Sequence, residues 1–153
     1  MTIVRAAGED DARSLAELRW EFRSGLVSPV ESQTSFIDRC SGWMRRELAK
    51  GEWRAWIAIC DDETVGQVWF RTIEKVPNPV GERDRHGYLS NLYVKPAARG
   101  GVGTRLVEIA LEFARADGID RVVLWPTPGS VRLYQRYGFV RAGDVMELRC
   151  DRA

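Results

Sequence analysis

Arg99-Gly100-Gly101-Val102-Gly103-Thr104 places three glycines, a permanent cation and a hydroxyl within six positions. Glycine lets the backbone approach a ligand closely and take up positive φ at little cost. Behind this run, Val102, Leu106, Ile109, Ala110 and Phe113 recur at helical spacing, so a helix over 102–116 begins where the glycines end. The first turn of a helix leaves N–H groups without partners and carries about half a positive charge. In front of the run, residues 88–94 are apolar and aromatic and lie between Gly87 and Pro96, which reads as a buried strand. Pro96 has no N–H to continue a ladder. A strand, a basic glycine turn and a helix together make a site for an anion, best filled by a pyrophosphate. A nucleoside triphosphatase loop would need a Gly-Lys-Ser/Thr ending, which is absent. A dinucleotide fingerprint would need a third glycine where Leu106 stands.

The elements that must hold this turn read as follows. Residues 3–7 form a short strand, and Glu9-Asp10-Asp11 opens a helix carrying Ala12, Leu15, Leu18 and Phe22 on one face, ending near Gly25. Phe36, Ile37, Cys40, Met44 and Leu48 mark a second helix, closed by Lys50-Gly51. Strands follow at 53–60 and 65–72, joined at Asp61-Asp62-Glu63-Thr64. A polar segment over 74–86 with Pro77, Pro79 and Gly81 is long enough to suggest a functional or mobile loop. After the 88–94 strand and its helix, residues 121–125 read as a buried strand, 130–136 as a short helix and 145–149 as a last strand. The order β-α-α-β-β-β-α-β-α-β describes an α/β domain with a mixed sheet.

Composition narrows the rest. The 153 residues suit one domain, 1–153, with a sizeable core. A net charge of +1 gives no electrostatic footprint for nucleic acid or an anionic membrane. No apolar run reaches spanning length, and the amino terminus lacks a signal-peptide pattern, so a cytoplasmic location is expected. Cys40, Cys60 and Cys150 are widely spaced and odd in number, which predicts reduced, buried or half-buried thiols. With His86 as the lone histidine, no metal site is expected.

The run Leu92-Tyr93-Val94-Lys95-Pro96, then Arg99-Gly100-Gly101-Val102-Gly103-Thr104 and Leu106, resembles the acyl-CoA-binding motif of the GNAT superfamily of N-acetyltransferases. A second stretch, Ser130 with Leu133-Tyr134-Gln135-Arg136-Tyr137-Gly138-Phe139, resembles that superfamily's other motif, a small residue four before a tyrosine with Gly-Phe four and five after it. The resemblance covers roughly residues 52–150 by motif, and the amino-terminal third by element order only. It implies a GNAT-like fold: one central, mixed, splayed sheet of about six to seven strands flanked by about four helices. It implies an acyltransferase using acetyl-CoA as donor, with acetyl transferred to a primary amine by direct attack in a ternary complex. Leu92, Tyr93, Val94, Arg99, Gly100, Gly101, Val102, Gly103, Thr104 and Ser130 would bind the donor. Tyr134 would be the catalytic acid for the departing sulfur. A phenol at about 10 lies above a thiol at about 8.5, so this transfer is uphill unless the site lowers the tyrosine.

Several positions depart from the motif. Arg99-Gly100 runs directly into Gly101-Val102-Gly103, one residue fewer than usual, and Thr127 stands where many members have asparagine. A glutamate that some members use as general base falls on apolar Val122 or its neighbours. Candidate bases are therefore Glu82, Asp84, His86 or a water held by Ser90 or Asn91, histidine being the side chain that trades protons near neutral pH. The six tryptophans could wall an acceptor pocket, which the resemblance puts beside the first two helices and the 73–87 loop. Small amine, antibiotic, polyamine and protein amino terminus remain open as acceptors, and a homodimer remains open as an assembly. A non-catalytic acyl-CoA sensor of the same fold is the alternative. A subunit that binds a partner protein through an aromatic surface is a third reading.

Overall fold

The alternation along residues 53–60 sorts side chains to two faces of a sheet. Trp56 and Ala58 enter one apolar cluster, while Ala55 and Ile57 enter another. The computed structural model describes residues 1–151. Among them, one sheet contains β1 (Thr2–Ala6), β2 (Trp53–Cys60), β3 (Glu63–Glu74), β4 (Arg85–Val94) and β5 (Arg121–Val123), in that spatial order. The first four are antiparallel neighbours, and β5 runs parallel to β4. The β2–β3 hairpin turns on Asp61 and Asp62, both at positive φ, the geometry a two-residue loop needs.

Helices α1 (Ala12–Ser24) and α2 (Gln33–Lys50) cover one face through Leu15, Ala16, Ile37 and Met44. Helices α3 (Val102–Ala116) and α4 (Val131–Arg136) cover the other through Leu106, Val107, Ala110 and Tyr134. Ser32 caps α2 by accepting from the Ser35 N–H at 3.2 Å, and Gly51 ends it at φ +79°. The acidic triplet before α1 forms its own short 3-10 turn, in which Asp11 accepts two bonds of 2.9 Å from Arg5 and one of 2.8 Å from the Gly8 N–H. The Arg5 guanidinium holds the Asp11 carboxyl below the usual carboxylate range.

Three expectations are corrected. The sheet has five strands rather than six to seven, and residues 145–149 form none. A β5 of three residues offers little edge for a further strand, and Val145, Met146 and Leu148 lie exposed. Cys40 and Cys60 are half-buried free thiols as expected, but Cys150 is exposed in this same tail. The 74–86 loop is shorter than expected, because β3 runs on to Glu74 and β4 starts at Arg85. It is also tied down: the Lys75 N–H donates to the Asp84 carbonyl at 2.9 Å, and Lys75 Nζ reaches Asp120 at 2.9 Å.

Candidate active site

β4 pairs with β3 from Arg85 to Val94 but with β5 only at His86, Gly87 and Tyr88. Beyond Tyr88 the two parallel strands part, and the β5-facing backbone edge of residues 89–94 has no strand beside it among the described residues. Two local features open this gap. Pro126 follows β5 closely and stops pairing. On β4 the register with β3 slips by one residue, so that Asn91 and Leu92 together oppose Val68. Such a bulge bends the strand and sharpens its twist. Asn91 takes φ +56°, a conformation that asparagine tolerates better than most residues. Its side-chain oxygen accepts a hydrogen bond from Arg19 Nη1 on α1 at 3.1 Å.

The free edge leads into the glycine turn. Pro96–Ala98 makes one 3-10 turn, Arg99 is extended, and Gly100 and Gly101 follow at φ +129° and +109°. A Cβ at either glycine would meet nothing within 4 Å, so the backbone angles, not crowding, demand glycine there. The same openness leaves room for a ligand against the main chain. Gly101 is the N-cap of α3 and supplies no side-chain acceptor, so the N–H groups of the first turn, Val102 to Thr104, face outward without a cap. Unpaired N–H groups at the start of a helix suit an anion. Arg99 Nε donates to the Val94 carbonyl at 3.4 Å, folding the side chain back along the end of β4.

Helix α4 closes the third side. A Cβ on Gly103 would lie 3.7 Å from Val94 Cγ2 and 4.0 Å from Leu133 Cδ2, so strand end, turn and α4 converge at one point. Tyr134, one residue on, is 7% exposed and packs edge-on against Phe139 with ring centroids 5.5 Å apart. Burial alone, with no compensating hydrogen bond or charge, pushes its phenol up to about 12. The site therefore keeps this group protonated rather than lowering it. Ser130 spends its hydroxyl locally, donating to the Thr127 carbonyl at 2.9 Å and accepting from Thr127 Oγ1 at 3.0 Å, which shapes the turn into α4.

The acetyltransferase (GNAT) family model matches residues 12–139. The chain belongs to the GNAT family. Three crystal structures share its fold. A predicted acetyltransferase with acetyl-CoA from Clostridium acetobutylicum is 22% identical, with a TM-score of 0.82 over 97% of this chain and 96% of that one. A GCN5-related N-acetyltransferase from Ralstonia eutropha JMP134 is 24% identical, with a TM-score of 0.81 over 97% and 99%. Glucosamine-6-phosphate N-acetyltransferase from Arabidopsis thaliana is 15% identical, with a TM-score of 0.72 over 99% of both chains. No curated protein matches the sequence significantly.

Within this GNAT fold, the residues singled out from sequence separate into two groups. Leu92, Val94, Val102, Leu133 and Tyr134 share the cluster on the α3 side, with Gly103 against it. Tyr93 instead turns toward α1 and stacks on Phe22 at 5.2 Å and 10°. The base candidates sit elsewhere. His86 Nε2 lies 3.6 Å from Asp120, which is bound to Lys75, while Glu82 and Asp84 accept from Asn78. His86 precedes Asn91 by five residues, roughly 16 Å along an extended strand. Ser90 and Asn91 lie at the bulge itself.

Sequence reasoning missed Arg19, which had no motif around it, and the clamp between α3 and α4. In that clamp Tyr137 donates to Glu108 Oε1 at 2.9 Å. It also left the tryptophans unsorted. Trp43, Trp53 and Trp69 form one mutually packed group on the α2 side, with centroid distances of 5.8 to 6.1 Å. Tyr88 joins it to Trp125, at 6.0 Å from Trp53 and 5.4 Å from Trp125.

Proposed function

We propose that this chain is an acetyl-CoA-dependent N-acetyltransferase, residues 1–153 acting as one catalytic domain that acetylates a primary amine in a ternary complex. One observation carries the reading: the unpaired edge of β4 runs into the uncapped N–H groups of the glycine turn, with the Tyr134 helix packed beside both. Acetyl-CoA would supply the acetyl group as a thioester. Gly100, Gly101, Val102, Gly103 and Thr104 would bind its diphosphate through the main chain, and the backbone of 92–94 would pair with its amide arm as an added strand does. An N–H of that edge aimed at the thioester oxygen would stabilise the charge that develops there, a contribution of several kcal/mol in comparable sites.

The acceptor enters from the opposite side of β4. A primary amine is mostly protonated at neutral pH, so a water on Ser90 or Asn91 takes its proton. The nitrogen forms the new C–N bond, the C–S bond breaks and its electron pair stays on sulfur. The ammonium gives up two protons in all: the one the water removes before attack passes to solvent, and the one nitrogen loses as the amide forms balances the one the thiol gains. With its phenol near 12, Tyr134 meets the sulfur as a neutral donor in a short hydrogen bond, since full transfer to a thiolate of about 8.5 would be uphill. The test is a thiol-release assay over a panel of amines, with products identified by mass. Coenzyme A release matched by N-acetylated amine supports the reading. Tight acetyl-CoA binding without acceleration by any amine would replace the enzyme with a binding module.

A further inference from the structure

We infer that the acceptor is an aliphatic primary amine that carries both an aromatic ring and a carboxylate, the carboxylate held by Arg19 and the ring laid against Trp125 and Tyr88. This rests on the acetyltransferase reading and names the substrate class of the same site.

Among the described residues three arginines are half-buried: Arg19, Arg71 and Arg85. Arg71 has Glu52 at 2.7 Å, and Arg85 has Asp117 at 3.0 Å. Arg19 has no carboxylate partner among the described residues, and its one side-chain hydrogen bond there goes to the neutral Asn91 oxygen. Burial and then the like charge of Arg23 disfavour its cation, with only Cys40 and Tyr88 acting the other way. A half-buried guanidinium without an acid is a poor arrangement for the free protein, and a fork of N–H donors that suits a carboxylate. It sits at the β4 bulge, where the edge for the donor begins.

The aromatic half is next to it. Tyr88 lies on the same face of β4, between Trp53 and Trp125. Trp125 follows β5 and is 70% exposed, although its ring is fixed edge-on to Tyr88. Half-buried Trp53 and buried Trp69 behind Tyr88 hold this wall in place, and an exposed indole at its end offers a flat apolar surface. The same charges argue against a polyamine or an aminoglycoside, whose additional ammonium groups would face Arg19 and Arg23.

The probe is the product, so that recognition is read apart from turnover. Protein saturated with coenzyme A is titrated calorimetrically with N-acetylphenylalanine, N-acetylphenethylamine (ring without carboxylate) and N-acetylalanine (carboxylate without ring). N-acetylphenylalanine is expected to bind at least tenfold more tightly than either. Arg19→Gln should abolish its advantage over N-acetylphenethylamine, and Trp125→Ala its advantage over N-acetylalanine. Arg19→Lys, which keeps the charge but not the fork, should retain part of the first, and thermal melts establish that each variant folds. Equal affinities in the wild type, no binding of any of the three, or a carboxylate preference that survives Arg19→Gln would overturn the inference while leaving the acetyltransferase reading standing. Failure to bind coenzyme A in the first step would bring down both.

Discussion

On the proposed reading, the two faces of the gap beside β4 recognise ligands by different means. On the donor side, the groups offered are main-chain: the strand edge over 89–94 and the N–H groups of the glycine turn. Side chains there are required mainly not to interfere, as at Gly100 and Gly101. On the acceptor side the groups are side chains, Arg19, Asn91, Tyr88 and Trp125, brought from α1, β4 and the segment after β5. A main-chain site can be shared by many chains of one family because it survives sequence change. A side-chain site varies with every substitution and so sets the acceptor. Tyr134 packs on the donor side and, in the proposed mechanism, faces the reacting bond.

Removing the phenol should have the largest effect and the most selective. Tyr134→Phe is expected to lower kcat by on the order of 10²-fold or more, with acetyl-CoA affinity unchanged. Steady-state thiol release and calorimetry read the two separately, and an equal loss in both would place Tyr134 in binding alone. Next, Gly101→Val forces a β-branched side chain to φ +109° and should weaken acetyl-CoA binding by tenfold or more, while the ratio of rates among acceptors stays constant. A changed acceptor preference in this variant would erase the distinction between the two faces.

A smaller effect follows from burial of the phenol. Its folded pKa, about 12, lies above the ordinary value, so below pH 10 both folded and unfolded chains hold the proton and the full stability is present. As pH rises from about 10 toward 12 only the unfolded chain ionises, and stability falls by up to about 2–3 kcal/mol. Denaturant titrations across that window should show the fall in wild type and a reduced fall in Tyr134→Phe. Least of all, Tyr137→Phe removes the bond to Glu108 and should cost about 1 kcal/mol in unfolding free energy without changing acceptor preference.

Much of this was legible residue by residue, and the misses share one cause. The glycine turn, the helix behind it and the Tyr134 segment announce themselves locally, through φ requirements and a 3.6-residue period. Strands β2, β3 and β4 follow from apolar runs with turn residues at their ends. The 145–149 segment looks strand-like in composition, but a strand exists only if a neighbouring edge accepts it, and β5 is too short to do so. The rise of the Tyr134 phenol was also not readable, because it depends on how completely α4 is covered.

What the chain order determined by itself is therefore the donor side: a β-turn-α unit whose turn angles and helix start are set by residues adjacent in sequence. Only the tertiary structure decided the acceptor side. Arg19 and Asn91 are 72 positions apart and share a hydrogen bond. Tyr88 and Trp125 touch only because β4 and β5 run side by side for three residues before parting. Interactions of that range leave no periodicity behind, since their partners are chosen by the packing of the sheet and not by spacing along the chain.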